Sequence, residues 1–225
     1  MFYDRAMAQP TPESPRESPR ARGSYAKGIA RRQEILDSAI EVFAQRGAGR
    51  TSLRAIAEEV GVTHAALIHH FGTLEQLLVE VYAESARRLE REHPVPDGVS
   101  PVEKMRLSAE RNHGVPGMVQ LYTSLVATAL EAGHPAATTF ATERFAEARA
   151  ALTLQVRAGQ ADGRIRRDLD AGQVAALVIA ASDGLQTQWL LDSGVDQVGA
   201  LAMLDRLLGD RTPEDDPDAV PDAGA

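Results

Sequence analysis

The chain has 225 residues, enough for one domain or two small ones, and its 44% hydrophobic and 25% charged composition is that of an ordinary soluble globular protein. The absence of cysteine excludes disulfides, thiol nucleophiles and cysteine-type zinc sites; no stretch approaches the ~20 apolar residues of a membrane span, and the N-terminus is too polar for a signal peptide, so a cytoplasmic location without a membrane partner is expected. The net charge of -8 argues against nucleic acid, but residues 1–72 carry 10 Lys and Arg against 8 Asp and Glu while residues 73–225 carry 14 against 24, which concentrates positive charge in the first part of the chain.

Residues 1–27 hold Pro10, Pro12, Pro15 and Pro19 among Ser, Glu and Arg, a composition that cannot pack a core, so a disordered tail is expected. Arg16, Arg20, Arg22 and Lys27 precede the first helix, where they either stay solvated or reach a minor groove as basic arms do. A helix is predicted from about Gly28 to Gln45, with Ile35, Ala39, Val42 and Phe43 on one face and Gly47 and Gly49 ending it.

Thr51–Phe71 then reads as two short helices about a tight turn. Leu53, Ile56, Ala57 and Val60 form one apolar face, Thr51 stands at an N-cap, and Gly61 stops the helix with a conformation that a side chain would resist. Thr63 caps the second helix, with Val62 and Leu67 placed as a hydrophobic staple. If Leu67 and Phe71 face inward, Thr63, His64, Ala65 and Ile68 project from the first turns, where a recognition helix meets base edges in the major groove. His64 can donate or accept there, while Ala65 and Ile68 offer apolar contact to a thymine methyl. Ser52 and Arg54, one turn earlier, are placed to touch phosphate, or a base in the case of Arg54. On the turn alone, a plain helical hairpin is equally open.

Downstream, Thr73 and Gln76 are spaced as a capping box opening another helix. From Ile35 through Leu78, and above all in GVTHAALIHHFGTLEQLL, the chain resembles the N-terminal domain of the TetR family of ligand-controlled transcriptional repressors. The resemblance covers nearly all of residues 28–78. It implies four helices forming a DNA-binding unit, an all-helical regulatory remainder and a homodimer. It also implies phosphate contacts at His70 and at the helix N-terminus behind Thr73, whose backbone N–H groups and dipole attract a phosphate oxygen. Ile68 and Leu74 stand where the family often has a tyrosine and a lysine directed at the DNA backbone, so fewer direct phosphate contacts are expected.

Residues 73–209 show helical periods and no strand alternation. Helices are predicted over Thr73 to His93, Pro101 to Arg111, Val115 to Ala132 and Ala136 to Gln160, punctuated by Gly133, Pro135 and Gly163. From Asp170 to Leu191, Asp170 and Gln173 are spaced as a capping box, and Val174–Ala181 is apolar on every side. Such a helix is buried all round, one face on the core and the other on a second subunit. Val174, Val178, Ala181 and Leu185, with Val198, Leu201, Leu204 and Leu208 of the next helix, are the predicted dimer interface, in keeping with the paired terminal helices that the resemblance implies. Gly184 marks either close helix packing or a bulge. If the family architecture holds, Tyr82, Met118, Tyr122, Phe145 and Trp189 wall a ligand pocket that Asp183 or Gln186 anchors; large residues at helical spacing are more often plain core, and Asp183 or Gln186 is also readable as hydrogen-bonded to a neighbouring helix. Residues 210–225 form an acidic tail expected to be disordered.

No H-E-x-x-H, phosphate-binding glycine loop or G-x-S-x-G occurs, and the adjacent His69 and His70 point about 100° apart on a helix, wrong for one metal. No enzyme, cofactor or metal is expected. The fold class predicted is all-α, with an N-terminal three-helix helix-turn-helix DNA-binding domain over 28–72 and a helical ligand-binding and dimerisation domain over 73–209. The function expected is that of a repressor bound as a homodimer to a palindromic double-stranded DNA operator and released by a small-molecule effector. An activator, a ligand-independent DNA binder, or a helical ligand-binding scaffold that has lost DNA binding are the alternatives.

Overall fold

Prolines and capping side chains set where the helices start. The computed structural model describes residues 19–46, 53–96 and 98–209, with side chains from residue 27 onward except those of 44–46, 53 and 55. Among these residues the chain forms α1 (Pro19–Arg46), α2 (Leu53–Val60), α3 (His64–Phe71), α4 (Leu74–Glu92), α5 (Pro101–Asn112), α6 (Pro116–Thr128), α7 (Pro135–Ala161), α8 (Ala171–Leu191) and α9 (Gln197–Leu208). Pro101, Pro116 and Pro135 each occupy the first turn of their helix, where a missing N–H costs nothing and the fixed φ already suits the helix. An isolated bridge between Ile165 and Gly209 pins the end of α9 to the α7–α8 connection.

Two boundaries differ by several residues from the sequence reading. α1 begins at Pro19 rather than Gly28, so residues 19–27 are helical where a disordered tail is predicted. Proline at the helix start and the Ala, Arg and Lys that follow are compatible with helix, and composition alone misses this. Residues 1–18 and 210–225 lie outside the described residues. α6 ends at Thr128 instead of Ala132, which leaves Leu130 in the turn with 88% of its surface exposed. Asp170 caps α8 by accepting from the Gln173 N–H at 2.8 Å.

The helix-turn-helix turn is a Schellman closure. Gly61, at φ +69°, lets its own N–H reach Glu58 O at 3.3 Å and the Val62 N–H reach Ala57 O at 2.8 Å, which satisfies two carbonyls at the end of α2. Leu67 and Phe71 turn inward onto Ile35, Leu36, Ala39, Phe43, Ile56 and Ala57. This core does not stop at residue 72. It continues through Leu77 and Val81 of α4 into Met118, Leu121 and Leu125 of α6. A second core joins Val102 and Ala109 of α5, Leu152 and Val156 of α7, Val174, Ala175 and Val178 of α8, and Leu201 of α9.

α8 is long and apolar enough, by length and composition, to cross a membrane, a feature the search for an unbroken apolar run passes over because Gln173, Asp183 and Gln186 interrupt it. Here it packs against α5, α6, α7 and α9 with one face in the second core.

Candidate nucleic-acid interface and ligand cavity

The exposed arc of α3 is built from its cap outward. Thr63 Oγ1 accepts from the Ala66 N–H at 3.1 Å, fixing the first turn. With Leu67 and Phe71 inward, His64, Ala65, Ile68 and His69 are exposed. At 100° per residue these four span one continuous arc. His69 is the member the sequence reading passes over: it is weighed there only as a metal ligand, although its spacing from Ala65 places it on the same face. Ile68 keeps 40% of its surface exposed, in line with an apolar contact to a base or sugar.

Arg54 of α2 is exposed beside this arc, and its Nε donates to Glu58 Oε1 at 3.3 Å. A pair so open to solvent is worth a few tenths of a kcal/mol, about 0.3–0.5, and does not hold Arg54 back from a phosphate. Arg54, Ala57, Glu58, Val62 and His64 line one notch between α2 and α3. Thr51 and Ser52 lie outside the described residues, as do the side chains of Arg16, Arg20 and Arg22.

The C-terminal end of α3 is held in a different way. Gly72 takes φ +77°, ψ -75°, and the Thr73 N–H reaches Phe71 O at 3.0 Å, a γ-turn. Thr73 then caps α4: its Oγ1 accepts from the Gln76 N–H at 3.1 Å while Gln76 Oε1 accepts from the Thr73 N–H at 3.0 Å. The box thus occupies two N–H groups at the α4 N-terminus that a phosphate would otherwise meet. His70 is half-buried, its carbonyl accepting from Arg32 Nε at 3.4 Å. The Arg32 guanidinium lies 4.8 Å from the Phe71 ring centre and pairs with Glu80. Leu74 packs on the first core, so the position where the family often carries a lysine serves the interior in this chain.

α4 is the element common to this face and to the helices that follow it. On its α1 side, Arg88 bridges Asp37 and Glu84. Burial raises the Asp37 carboxyl, but hydrogen bonds from Arg88 and Gln33 outweigh it and hold the group below the usual carboxylate range. Glu84 is lowered by its hydrogen bonds from Arg88 and Arg87 against a smaller opposing effect of burial. At its other end, Glu75 accepts from the Ala137 N–H at 2.6 Å. His134, the α7 N-cap, supplies no side-chain cap, so a carboxylate from α4 caps α7.

A small cavity of about 50 Å³ sits at the seam of the two cores, lined among others by Tyr82, Leu89, Asn112, Met118, Tyr122 and Gln186. That is room for one or two waters. The Gln186 Oε1 accepts from Asn112 Nδ2 at 3.3 Å while its Nε2 is buried without a partner. Tyr122 donates to Asp183 Oδ2 at 3.0 Å, and the Tyr82 and Tyr122 rings stack with centres 5.2 Å apart. Burial pushes both phenols up. It also raises the Asp183 carboxyl, against the Tyr122 hydrogen bond and the Arg144 charge.

The structure therefore brings together Tyr82, Met118, Tyr122, Asp183 and Gln186 of the predicted pocket. It places Trp189 elsewhere, stacked on His113 with ring centres 4.4 Å apart, and Phe145 on neither the seam cavity nor the groove beside it. Arg144, one position away from Phe145, is the residue that faces the tyrosines. Of the predicted dimer residues, Val174, Val178 and Leu201 are buried inside the protomer, and Ala181, Leu185, Val198, Leu204 and Leu208 are half-buried. The all-round apolar pattern is real, but the larger β-branched side chains took the core side. The outward stripe of α8 is Ala176, Leu177, Ala180, Gly184 and Leu191. Around Gly184 nothing approaches a would-be Cβ, so neither close packing within the protomer nor a break in the helix explains it.

A glycine-closed helix pair with an exposed second helix, carried on a helical bundle with an internal cavity, defines the class as a helix-turn-helix DNA-binding protein. Residues 35–81 match the family model for bacterial regulatory proteins, tetR family, and residues 118–213 that for the BetI-type transcriptional repressor, C-terminal. The probable acrEF/envCD operon repressor of Escherichia coli K12 is 37% identical over 75 residues, 32% of this chain and 34% of its own, so the chain spans about a third of that relative. The transcriptional regulator TtgR of Pseudomonas putida is 31% identical over 192 residues, 75% of this chain and 84% of TtgR. The solved structure of a TetR-family member from Streptomyces coelicolor A3 has a TM-score of 0.58 at 29% identity, covering 79% of this chain and 98% of that one. The chain belongs to the TetR family of bacterial transcriptional regulators.

Proposed function

We propose that this chain is a cytoplasmic, ligand-responsive repressor that binds a pseudo-palindromic operator as a homodimer and leaves it when a small molecule occupies the regulatory bundle. The observation that carries the reading is the double attachment of α4: Glu80 and Arg88 tie it to Arg32 and Asp37 of α1, while Tyr82 of the same helix stands in the cavity wall. A ligand that favours a different placement of α4 shifts the recognition helices relative to one another, and its differential affinity for the two states supplies the energy. Two α3 helices must sit about 34–36 Å apart, or a multiple of that, to enter successive major grooves. Residues 28–72 supply the reader and 73–209 the regulatory and dimerising part.

Selection of bound duplexes from a random library, at stated salt, tests the reading. A two-fold symmetric consensus is expected, and the double variant Arg54→Ala, His64→Ala is expected to lose sequence preference while remaining folded. Thr51, Ser52, Thr63, Ala65, Ile68, His69, His70 and Thr73 complete the proposed contact surface. No enriched sequence from folded dimer would move the reading to a ligand-binding scaffold. A fall in target expression on deletion of the gene would make the protein an activator.

The dimer is proposed to form on the outward stripe of α8 together with Met203 and Leu207 of α9, which are 52% and 62% exposed. Ala176, Ala180 and Gly184, four residues apart, let two α8 helices approach closely, and Leu177 and Leu191 flank them. Ala180→Glu is expected to yield a monomer by sedimentation with unchanged helicity; a dimer that survives it would place the interface elsewhere.

A further inference from the structure

The groove between α4 and α7 already holds a cation, and it is the protein's own. The Arg144 residue is exposed overall, yet its guanidinium carbon lies 5.4 Å from the Tyr82 ring centre and 5.0 Å from that of Tyr122. Phe140 closes edge-on against Tyr82 at 5.5 Å. Behind the rings, the Tyr122 hydroxyl is hydrogen-bonded to Asp183. Aromatic faces are negative, and stacked tyrosines with a carboxylate behind them attract positive charge.

The surroundings have the same sign. The adjoining groove, about 1030 Å³ and open to solvent, is lined by Glu75, Glu90, Glu143 and Glu147 against Arg87 and Arg144. Removal of the Arg144 side chain from its position would leave the rings without a cation and Asp183 with the Tyr122 hydroxyl but no positive charge facing it, beside a groove whose lining is then still more acidic. An anionic ligand in this groove would have to pass the four glutamates to reach Arg144.

We propose that this groove binds an organic cation with a quaternary or delocalised charged head, which replaces the Arg144 guanidinium on the Tyr82 and Tyr122 rings with Asp183 as its counter-charge. Arg144 is the internal occupant that the ligand displaces. The proposal rests on the reading of the chain as a ligand-responsive regulator and names the class of its effector. It also gives Arg144 a definite sign in the energetics: the arginine competes with the ligand and does not hold it.

The test is calorimetric titration of the full chain with benzyltriethylammonium and, in parallel, with benzoate, for wild type, Arg144→Gln and Asp183→Asn. The quaternary cation is expected to bind; Arg144→Gln is expected to tighten it about threefold to tenfold by removing the competitor, and Asp183→Asn to weaken it about tenfold. Circular dichroism checks that each variant is folded, and Asp183→Ser, which also removes the counter-charge, stands in if Asp183→Asn is not. Benzoate binding that Arg144→Gln abolishes would overturn the proposal in favour of an anion anchor. Cation binding that weakens in Arg144→Gln, or no cation binding by any form, would overturn it as well. Operator affinity is read separately: a chain that binds the cation but no DNA keeps this proposal and loses the regulator, and the reverse result loses this proposal alone.

Discussion

Gly72 shows how much one residue can be asked to do. Its positive φ forms the γ-turn between α3 and α4, and a Cβ built there would lie 2.3 Å from Gln76 Oε1, the oxygen that completes the Thr73 capping box. Gly72→Ala is therefore expected to strain the backbone and open the box together, with a loss of about 1 to 3 kcal/mol in urea unfolding. A loss below half a kcal/mol would mean that α3 and α4 are joined more loosely than this geometry implies. Thr73, Gln76, Thr63 and Gly61 were all legible in the sequence, because caps and helix stops are local and their residue types are few. Arg144 was not: it reads as one surface arginine among many, and only the approach of α7 to α4 and α6 brings it over two tyrosines.

At the level of elements, α4 is anchored to α1 by charge as well as by Leu77 and Val81. Asp37 and Glu84 are both held below their ordinary values, so their contribution to stability is complete above the unfolded carboxylate range, near pH 4, and is lost as the pH falls through the lowered folded-state values. Thermal unfolding followed from pH 7 to pH 3 should show melting temperature falling in the acid limb, and the double variant Asp37→Asn, Glu84→Gln should flatten that limb. An unchanged acid limb would assign the acid sensitivity to other carboxylates. The helices themselves were readable from their periods, and α5, α7 and α8 fall within a residue or so of where the pattern puts them. What periodicity could not supply is direction. Over Val174–Ala181 of α8 every position is apolar, so the pattern gives no sign of which side meets the core; Val174 and Val178 face in, while Leu177 and Ala180 face out. The Glu75 cap on α7 was equally out of reach, since donor and acceptor are 62 positions apart.

For the whole molecule, the all-α class and the order of reader before bundle were visible from the helix-turn-helix and from the want of strand alternation. The pocket was half visible: large side chains at helical spacing mark an interior, and Tyr82, Met118 and Tyr122 do meet, but Trp189 has its own partner in His113. Residues from four helices have to converge before a wall exists, and no window of sequence contains that information.

The continuity of the first core bears on what can be transplanted. Recognition heads are attractive units for building chimeric regulators, and residue 72, at the sharp turn, looks like the natural seam for a graft. In this chain a cut there would pass through the middle of one packed interior: Phe71 and Leu67 on one side, Leu77, Met118 and Leu121 on the other. A foreign head would have to present a matching surface to α4 and α6, so the smallest exchangeable piece is the reader together with the two helices that complete its interior.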